Sequence, residues 1–257
     1  MFNKNIPYIE LFGTPIHKLT MTETLSVIDN ALYRREKLQH VVVNAAKIVN
    51  MQKDSKLKRS IIESDLINAD GQAVVWAARI LGKRLPERVA GIDLMINLVE
   101  LAYKKNYKIF FLGAKEDIVK KVVEKYSSLY SRDIIAGYRN GYFKKNEEHL
   151  VAEQIANSGA DILFVAMTSP KKEIFLNANK NIIQATFIMG VGGSFDVVAG
   201  FTKRAPFWMQ ENGLEWLYRV IQEPKRMWRR YLITNTLFIG YTIRESFKKR
   251  IPKLRQC

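Results

Sequence analysis

The stretch "ATFIMGVGGSFD" at 185–196 runs apolar for most of its length and then stops in a cluster of glycines. An apolar run without polar alternation suits a strand buried on both faces, as in a parallel sheet. Four other stretches share that character: "HVVVNA" (40–45), "DLINA" (65–69), "KIFFLGA" (108–114) and "DILFVAM" (161–167). Helical patterns fall around them, at 21–37, 46–62, 72–82, 92–106, 115–130, 146–158 and 171–181. Alternation of this kind predicts an α/β fold, a doubly wound and mainly parallel sheet of Rossmann-like type. After Gly200 no strand-like run returns. Residues 205–250 read as helix interrupted at Pro224, and they carry Trp208, Trp216 and Trp228 of the chain's four tryptophans. The expected organisation is a core over 1–200 and a basic helical appendage over 201–257.

The chain has 257 residues, 47% of them hydrophobic, which is enough for a substantial core. Its 41 Lys and Arg against 25 Asp and Glu give a formal charge of +16. Such an excess favours an anionic partner: nucleic acid, a phosphorylated ligand or an acidic membrane. Residues 201–257 hold 13 Lys and Arg against 4 Asp and Glu, so more than half of the excess is C-terminal. Cys257 is the sole cysteine, which forbids an intrachain disulfide and is compatible with a reducing compartment. The first residues, "MFNKNIPYIELFGTPI", lack the apolar core of a signal peptide. "YLITNTLFIGYTI" at 231–243 is too short and too polar to cross a bilayer, which takes ~20 apolar residues.

Several strand ends carry residues able to do chemistry. In "NADGQAVVW" (68–76), Asp70 stands where a strand gives way to a helix. It reads as a helix cap or as a reactive carboxylate at the edge where α/β sheets bind ligands. "GVGGSFD" (190–196) could offer backbone N–H groups to a phosphate, or be an ordinary turn. It is neither G-x-G-x-x-G, since Phe195 takes the sixth place, nor a Walker loop. In "TSPKKE" (168–173) Ser169 can cap and Pro170 can open a helix. Lys171 and Lys172 then sit at a helix start, poor ground for cations unless an anion lies near; otherwise they are a solvated pair. Arg88, in "LPERVAGIDL" (85–94), suits carboxylate or phosphate recognition, or a plain surface ion pair. "EWLYRVIQEPKRMWRRYL" (215–232) interleaves Arg219, Arg226, Arg229 and Arg230 with aromatics. It could lie on an anionic membrane, close over a pyrophosphate, or simply pack as a basic helical subdomain. His17, His40 and His149 have no metal-ligand spacing, and neither G-x-S-x-G nor Asp-x-Asp occurs.

In their order, "NADGQAVVWAARILGKRLPERVAGIDL" (68–94), "FFLGA" (110–114), "GYRNGYF" (137–143), "ILFVAMTSPKKE" (162–173) and "GVGGSFDVVAGFTKRAPFWMQENGLEWLYRVIQEPKRMWRRYL" (190–232) resemble the WecG/TagA/CpsF glycosyltransferase family. The likeness extends from about residue 10 to 245. It implies an inverting hexosyl- or N-acetylhexosaminyltransferase of cell-surface or exopolysaccharide biosynthesis. The enzyme would move a sugar from a UDP-sugar to a polyprenyl-diphosphate-linked saccharide, with no cofactor and no metal. It would work peripherally on the cytoplasmic membrane face, against an anionic membrane surface, with a homo-oligomer compatible and nucleic acid not a partner. By the same match Asp70 is the general base. Asn44, Arg88 and Lys172 contact the sugar or phosphates, and Tyr142, Gly192, Gly193 and Asp196 lie by the nucleotide. Arg219, Arg226 and Arg229 of the appendage complete the site by neutralising the departing UDP.

Two positions depart from the family pattern. Val42 stands where a threonine is frequent, and Lys172 replaces the glutamine of P-K-Q-E. Both lie where donor selectivity would be set. The donor thus stays open between N-acetylmannosamine, another hexose and an acidic sugar able to pair with Lys172. Two non-enzymatic readings stand beside the enzyme: a basic module that binds nucleic acid through its phosphates, and an inactive homologue that recruits partners to a membrane.

Overall fold

The computed structural model describes residue 3 and residues 5–250, apart from the side chains at 226, 249 and 250; Cys257 lies outside the described residues. An antiparallel hairpin, β1 (Tyr8–Leu11) with β2 (Thr14–His17), comes first, followed by α1 (Met21–Arg34). Then come β3 (Leu38–Val43), α2 (Ala45–Met51), α3 (Ser55–Ile62), β4 (Leu66–Ala69), α4 (Gln72–Ile80) and α5 (Gly91–Lys105). They are followed by β5 (Ile109–Gly113), α6 (Glu116–Leu129), β6 (Ile135–Arg139), α7 (Glu148–Asn157), β7 (Ile162–Ala166), α8 (Lys171–Asn179), β8 (Phe187–Gly190) and α9 (Ser194–Val198). Three helices close the described chain: α10 (Phe207–Glu211), α11 (Glu215–Gln222) and α12 (Pro224–Arg250).

Strands β3 to β8 form one sheet in the order β4-β3-β8-β7-β5-β6, and every pairing in it is parallel. The five apolar runs account for five of these strands. Side chains alternate between two buried faces: Phe111 and Phe164 pack with α5 and α6, while Phe110 and Leu163 pack with α7 and α8. The continuous apolar runs are the signature of that two-sided burial. Strand β6 gave no such signal, because it is an edge strand whose five residues are all only half-buried. The hairpin β1–β2 was too short to read as a pair of strands.

The expected helix over 46–62 is two helices. The first ends at Met51, and Asp54 caps the second, its Oδ1 accepting from the Leu57 N–H at 3.0 Å. The helical pattern breaks at Pro224 as expected: α11 ends at Gln222, and Pro224 opens α12, where its missing N–H costs nothing. Ser169 does not cap α8; the N-cap position is Pro170, without a side-chain cap bond.

Because all six strands are parallel, their carboxyl ends share one edge. Helices leave that edge to opposite faces: α2 and α8 to one, α9 to the other, where Phe195 and Val198 join α6. Open α/β sheets take ligands outside this edge, where the following helices diverge, here at the ends of β3, β8 and β7. Backbone there is packed closely. A Cβ on Gly113 would lie 2.5 Å from the Ala166 carbonyl oxygen, so only glycine fits.

Candidate active site

Asp70 follows β4 on this edge and is half-buried. It does not cap its own helix: Gly71 holds the N-cap of α4, with no side-chain bond. Instead Asp70 Oδ1 accepts from the N–H of Gly91, the first residue of α5, at 3.1 Å. Burial raises its carboxyl above the ordinary value. The Gly91 N–H opposes that rise, the Glu215 carboxylate adds to it, and Arg219 and Arg88 oppose it.

Arg88 lies in a tethered loop. Glu87 accepts from the N–H of Met21 at the start of α1, and the Val89 N–H donates to the Ala69 carbonyl at 2.8 Å. Arg88 Nη1 donates to Glu215 Oε2 of α11 at 2.9 Å, with both side chains largely buried. Arg219, one turn further along α11, stands 3.9 Å from the other Glu215 oxygen. Arg204, in the segment before α10, makes a two-pronged pair with Asp93 in the first turn of α5, at 2.5 and 2.7 Å. The bidentate geometry fixes direction as well as distance. The C-terminal segment is thus fastened by ion pairs to the Arg88 loop and to α5, whose first residue bonds Asp70. Glu215, Arg204 and Asp93 were not legible as site residues, since their roles exist only where α11 and α5 meet.

Asn44 ends β3, and its Oδ1 caps α2 by accepting from the Lys47 N–H at 3.0 Å. It also backs the Asp70–Gly71 turn, where a Cβ on Gly71 would lie 3.4 Å from the Asn44 Cβ. Lys172 is not a solvated surface cation. It is buried, and its Nζ lies 3.0 Å from Glu173 Oε1, which Lys47 Nζ also approaches at 3.0 Å. Its stem runs under the glycine loop: a Cβ on Gly190 would meet Lys172 Cε at 2.9 Å. Lys171, by contrast, is half-buried and aims Nζ at the Phe143 carbonyl at 3.3 Å.

Tyr142 belongs to the loop after β6. That loop folds back over β5 and β7, with the Gly141 N–H on the Ala114 carbonyl at 3.0 Å, and leaves Tyr142 exposed. Gly192, Gly193 and Asp196 occupy the end of β8 and the start of α9. The predicted residues therefore fall in two groups on one edge. Asp70, Asn44, Arg88 and Arg219 lie at β4 and β3, and Tyr142, Gly192, Gly193 and Asp196 at β8 and beyond, with Lys172 between them. Arg229 is exposed on α12, and the side chain of Arg226 lies outside the described residues. Arg230, on the same helix, carries a charge that acts on Lys172. Among the described residues no group of three His, Cys, Asp or Glu side chains could hold a metal ion.

The family model for the glycosyl transferase WecG/TagA/CpsF family matches residues 9–252. The chain belongs to that family. Two relatives carry the name N-acetylglucosaminyldiphosphoundecaprenol N-acetyl-beta-D-mannosaminyltransferase. The one from Bacillus subtilis (strain 168) is 44% identical over 169 residues, and the one from Bacillus spizizenii is 38% identical over 169 residues. Each match covers 66% of this chain and 65% of the relative, so the aligned part spans just under two thirds of the relatives' own length.

Proposed function

We propose that the protein is an inverting glycosyltransferase that moves a sugar from a UDP-sugar to a polyprenyl-diphosphate-linked saccharide. The observation that carries this is Asp70, a half-buried carboxylate with raised proton affinity facing Arg88 and Arg219. In the reaction the acceptor hydroxyl oxygen attacks the anomeric carbon as the bond from that carbon to UDP breaks. The hydroxyl proton passes to Asp70, and UDP departs with its negative charge. Arginines from the loop at 88 and from α11 offset that charge as it develops. The reaction as proposed uses no metal or other cofactor. The relatives' names support a lipid-diphosphate acceptor; the nucleotide end of the donor would lie toward Tyr142 and Asp196.

Attachment at the inner membrane face is part of this reading. No helix among the described residues is long and apolar enough to cross a membrane. On α12, Trp228, Leu232, Ile239 and Ile243 are exposed at helical spacing, while Met227, Phe238 and Thr242 are buried on the adjacent face. An apolar stripe flanked by Lys and Arg suits the interface of an anionic bilayer.

The deciding experiment is a panel of UDP-sugars with a short-chain polyprenyl-diphosphate-linked N-acetylglucosamine acceptor, read by mass spectrometry. A product heavier by one sugar residue is expected; its absence with every donor would refute the reading. The pH profile adds a second check. Protonated Asp70 cannot accept a proton, so kcat/KM falls as pH drops through its pKa, which lies above the ordinary carboxylate value. Glu215→Gln removes a neighbouring negative charge and frees Arg88, and both effects lower that pKa. The acid limb is expected to move to lower pH. A limb that stays in place would separate Asp70 from the proton transfer.

A further inference from the structure

Three arginines gather around Glu215, the first residue of α11, and each comes from a different segment. Arg88, in the loop before α5, donates Nη1 to Glu215 Oε2 at 2.9 Å, and Arg219, one turn along α11, holds Nη2 3.9 Å from Oε1. Arg204 is claimed by Asp93, at 2.5 and 2.7 Å, and still feels the Glu215 charge. The same charge reaches Asp70 and adds to its proton affinity. The Arg88 and Glu215 side chains are only 14% and 20% exposed, so solvent screens their attraction only in part.

An ion pair of this kind fastens one segment to another, but its position gives it a further consequence. Arg88 and Arg219 are the two guanidinium groups whose charges act on Asp70. In the reading above they offset the charge of the departing diphosphate. A diphosphate needs guanidinium N–H donors. One of those donors is already given to Glu215, and a carboxylate left in place would repel the arriving anion. Among Arg88, Arg219, Glu215 and ionised Asp70, two positive charges meet two negative ones, so these four groups hold no positive surplus for a ligand. Binding of a diphosphate there requires Glu215 to give way.

We infer that Glu215 is a positioning residue that competes with the donor's diphosphate: it holds Arg88 and Arg219 together when no donor is bound, cedes them to the diphosphate, and takes Arg88 back as UDP leaves. The inference rests on the nucleotide-sugar reading above and adds to it a competition for the arginines. Affinity for UDP is then reduced by the fraction of molecules in which Arg88 is free of Glu215, and product release is eased by the same factor. A plain fastener predicts the opposite sign. Removing a fastener loosens α11 and weakens UDP binding, whereas removing a competitor strengthens it.

Binding of UDP, inorganic pyrophosphate and uridine to wild type, Glu215→Gln and Glu215→Asp is measured by calorimetry, with a thermal melt to show that each protein is folded. Gln keeps an oxygen to accept from Arg88 but carries no charge. It is expected to bind UDP and pyrophosphate about tenfold more tightly than wild type, as when the free-arginine form rises from about a tenth of the molecules to nearly all, with uridine unchanged. UDP then inhibits turnover at a correspondingly lower concentration. Asp keeps the charge one methylene further from Arg88. Its UDP affinity is expected between the other two, and it decides the matter if Gln does not fold. UDP affinity equal to or below wild type in a folded variant would overturn the inference. A gain shared by uridine would also overturn it, because uridine has no phosphate to compete. A gain for pyrophosphate with no binding of uridine or UDP would keep Glu215 as the competitor and refute the nucleotide reading instead.

Discussion

Asp70→Asn is expected to lower kcat/KM by about 10²- to 10⁴-fold, the range typical of a lost general base, while the melting temperature stays level or rises. The two readouts separate the two roles this residue could have. Asn keeps a side-chain oxygen where Asp70 accepts the Gly91 N–H, so the helix-start contact survives. It cannot take a proton from an attacking hydroxyl. The stability sign follows from linkage. A carboxyl whose folded pKa is raised gives its full contribution below the unfolded value, and that contribution is lost as pH rises through the folded value. Above that folded value the ionised Asp70 is a net cost that Asn removes. A variant that melts clearly lower and keeps most of its activity would make Asp70 a structural residue and sink the proposed chemistry. Turnover by mass spectrometry and a thermal melt at pH 7 are sufficient to decide.

The largest stability effect is expected from Glu173→Gln, a loss of about 3–5 kcal/mol, as when a buried ion pair is broken by removing one partner. Two buried lysines would then face each other with no carboxylate between them. For a domain of this size such a loss lowers the melting temperature on the order of 10 °C. The triad also fixes two pH windows. Burial alone would raise the Glu173 carboxyl, but Lys47 and Lys172 outweigh it and hold it at about 2. Its contribution is present above the ordinary value of 4.5 and is lost as pH falls from there toward 2. Lys172 runs from about 8 when folded to 10.5 when unfolded, so it costs stability below about pH 8, and stability recovers as pH rises through that interval. Chemical denaturation of wild type and Glu173→Gln between pH 3 and pH 10 measures both windows. Superimposable stabilities would show that the triad is not coupled to folding.

Strands buried on both faces were legible because two-sided burial demands an unbroken apolar run, as in "DILFVAM" and "KIFFLGA". Strand β6 was not, since an edge position lets half-exposed residues and Gly137 stand in a strand. Asp70, Arg88 and the glycine loop were legible as residues of interest from their places at strand ends. Their partners were not: Glu215 lies 127 positions from Arg88, and Arg204 lies 111 from Asp93. The cap reading of Asp70 named the right interaction and the wrong helix, because the nearest N-terminus in space belongs to α5, not to the helix that follows in sequence.

The sequence by itself determined the α/β alternation, the C-terminal helical basic segment and the family. Each of these is written in local order, as periodicity, composition and the succession of motifs. Tertiary structure alone decided that Asp70 becomes a half-buried carboxylate with raised proton affinity and that Lys172 becomes a buried cation beside a second lysine. Proton affinity is set by desolvation and by charges within a few ångströms, and the packing of β3, β8, α5, α8 and α11 brings those charges together from distant parts of the chain.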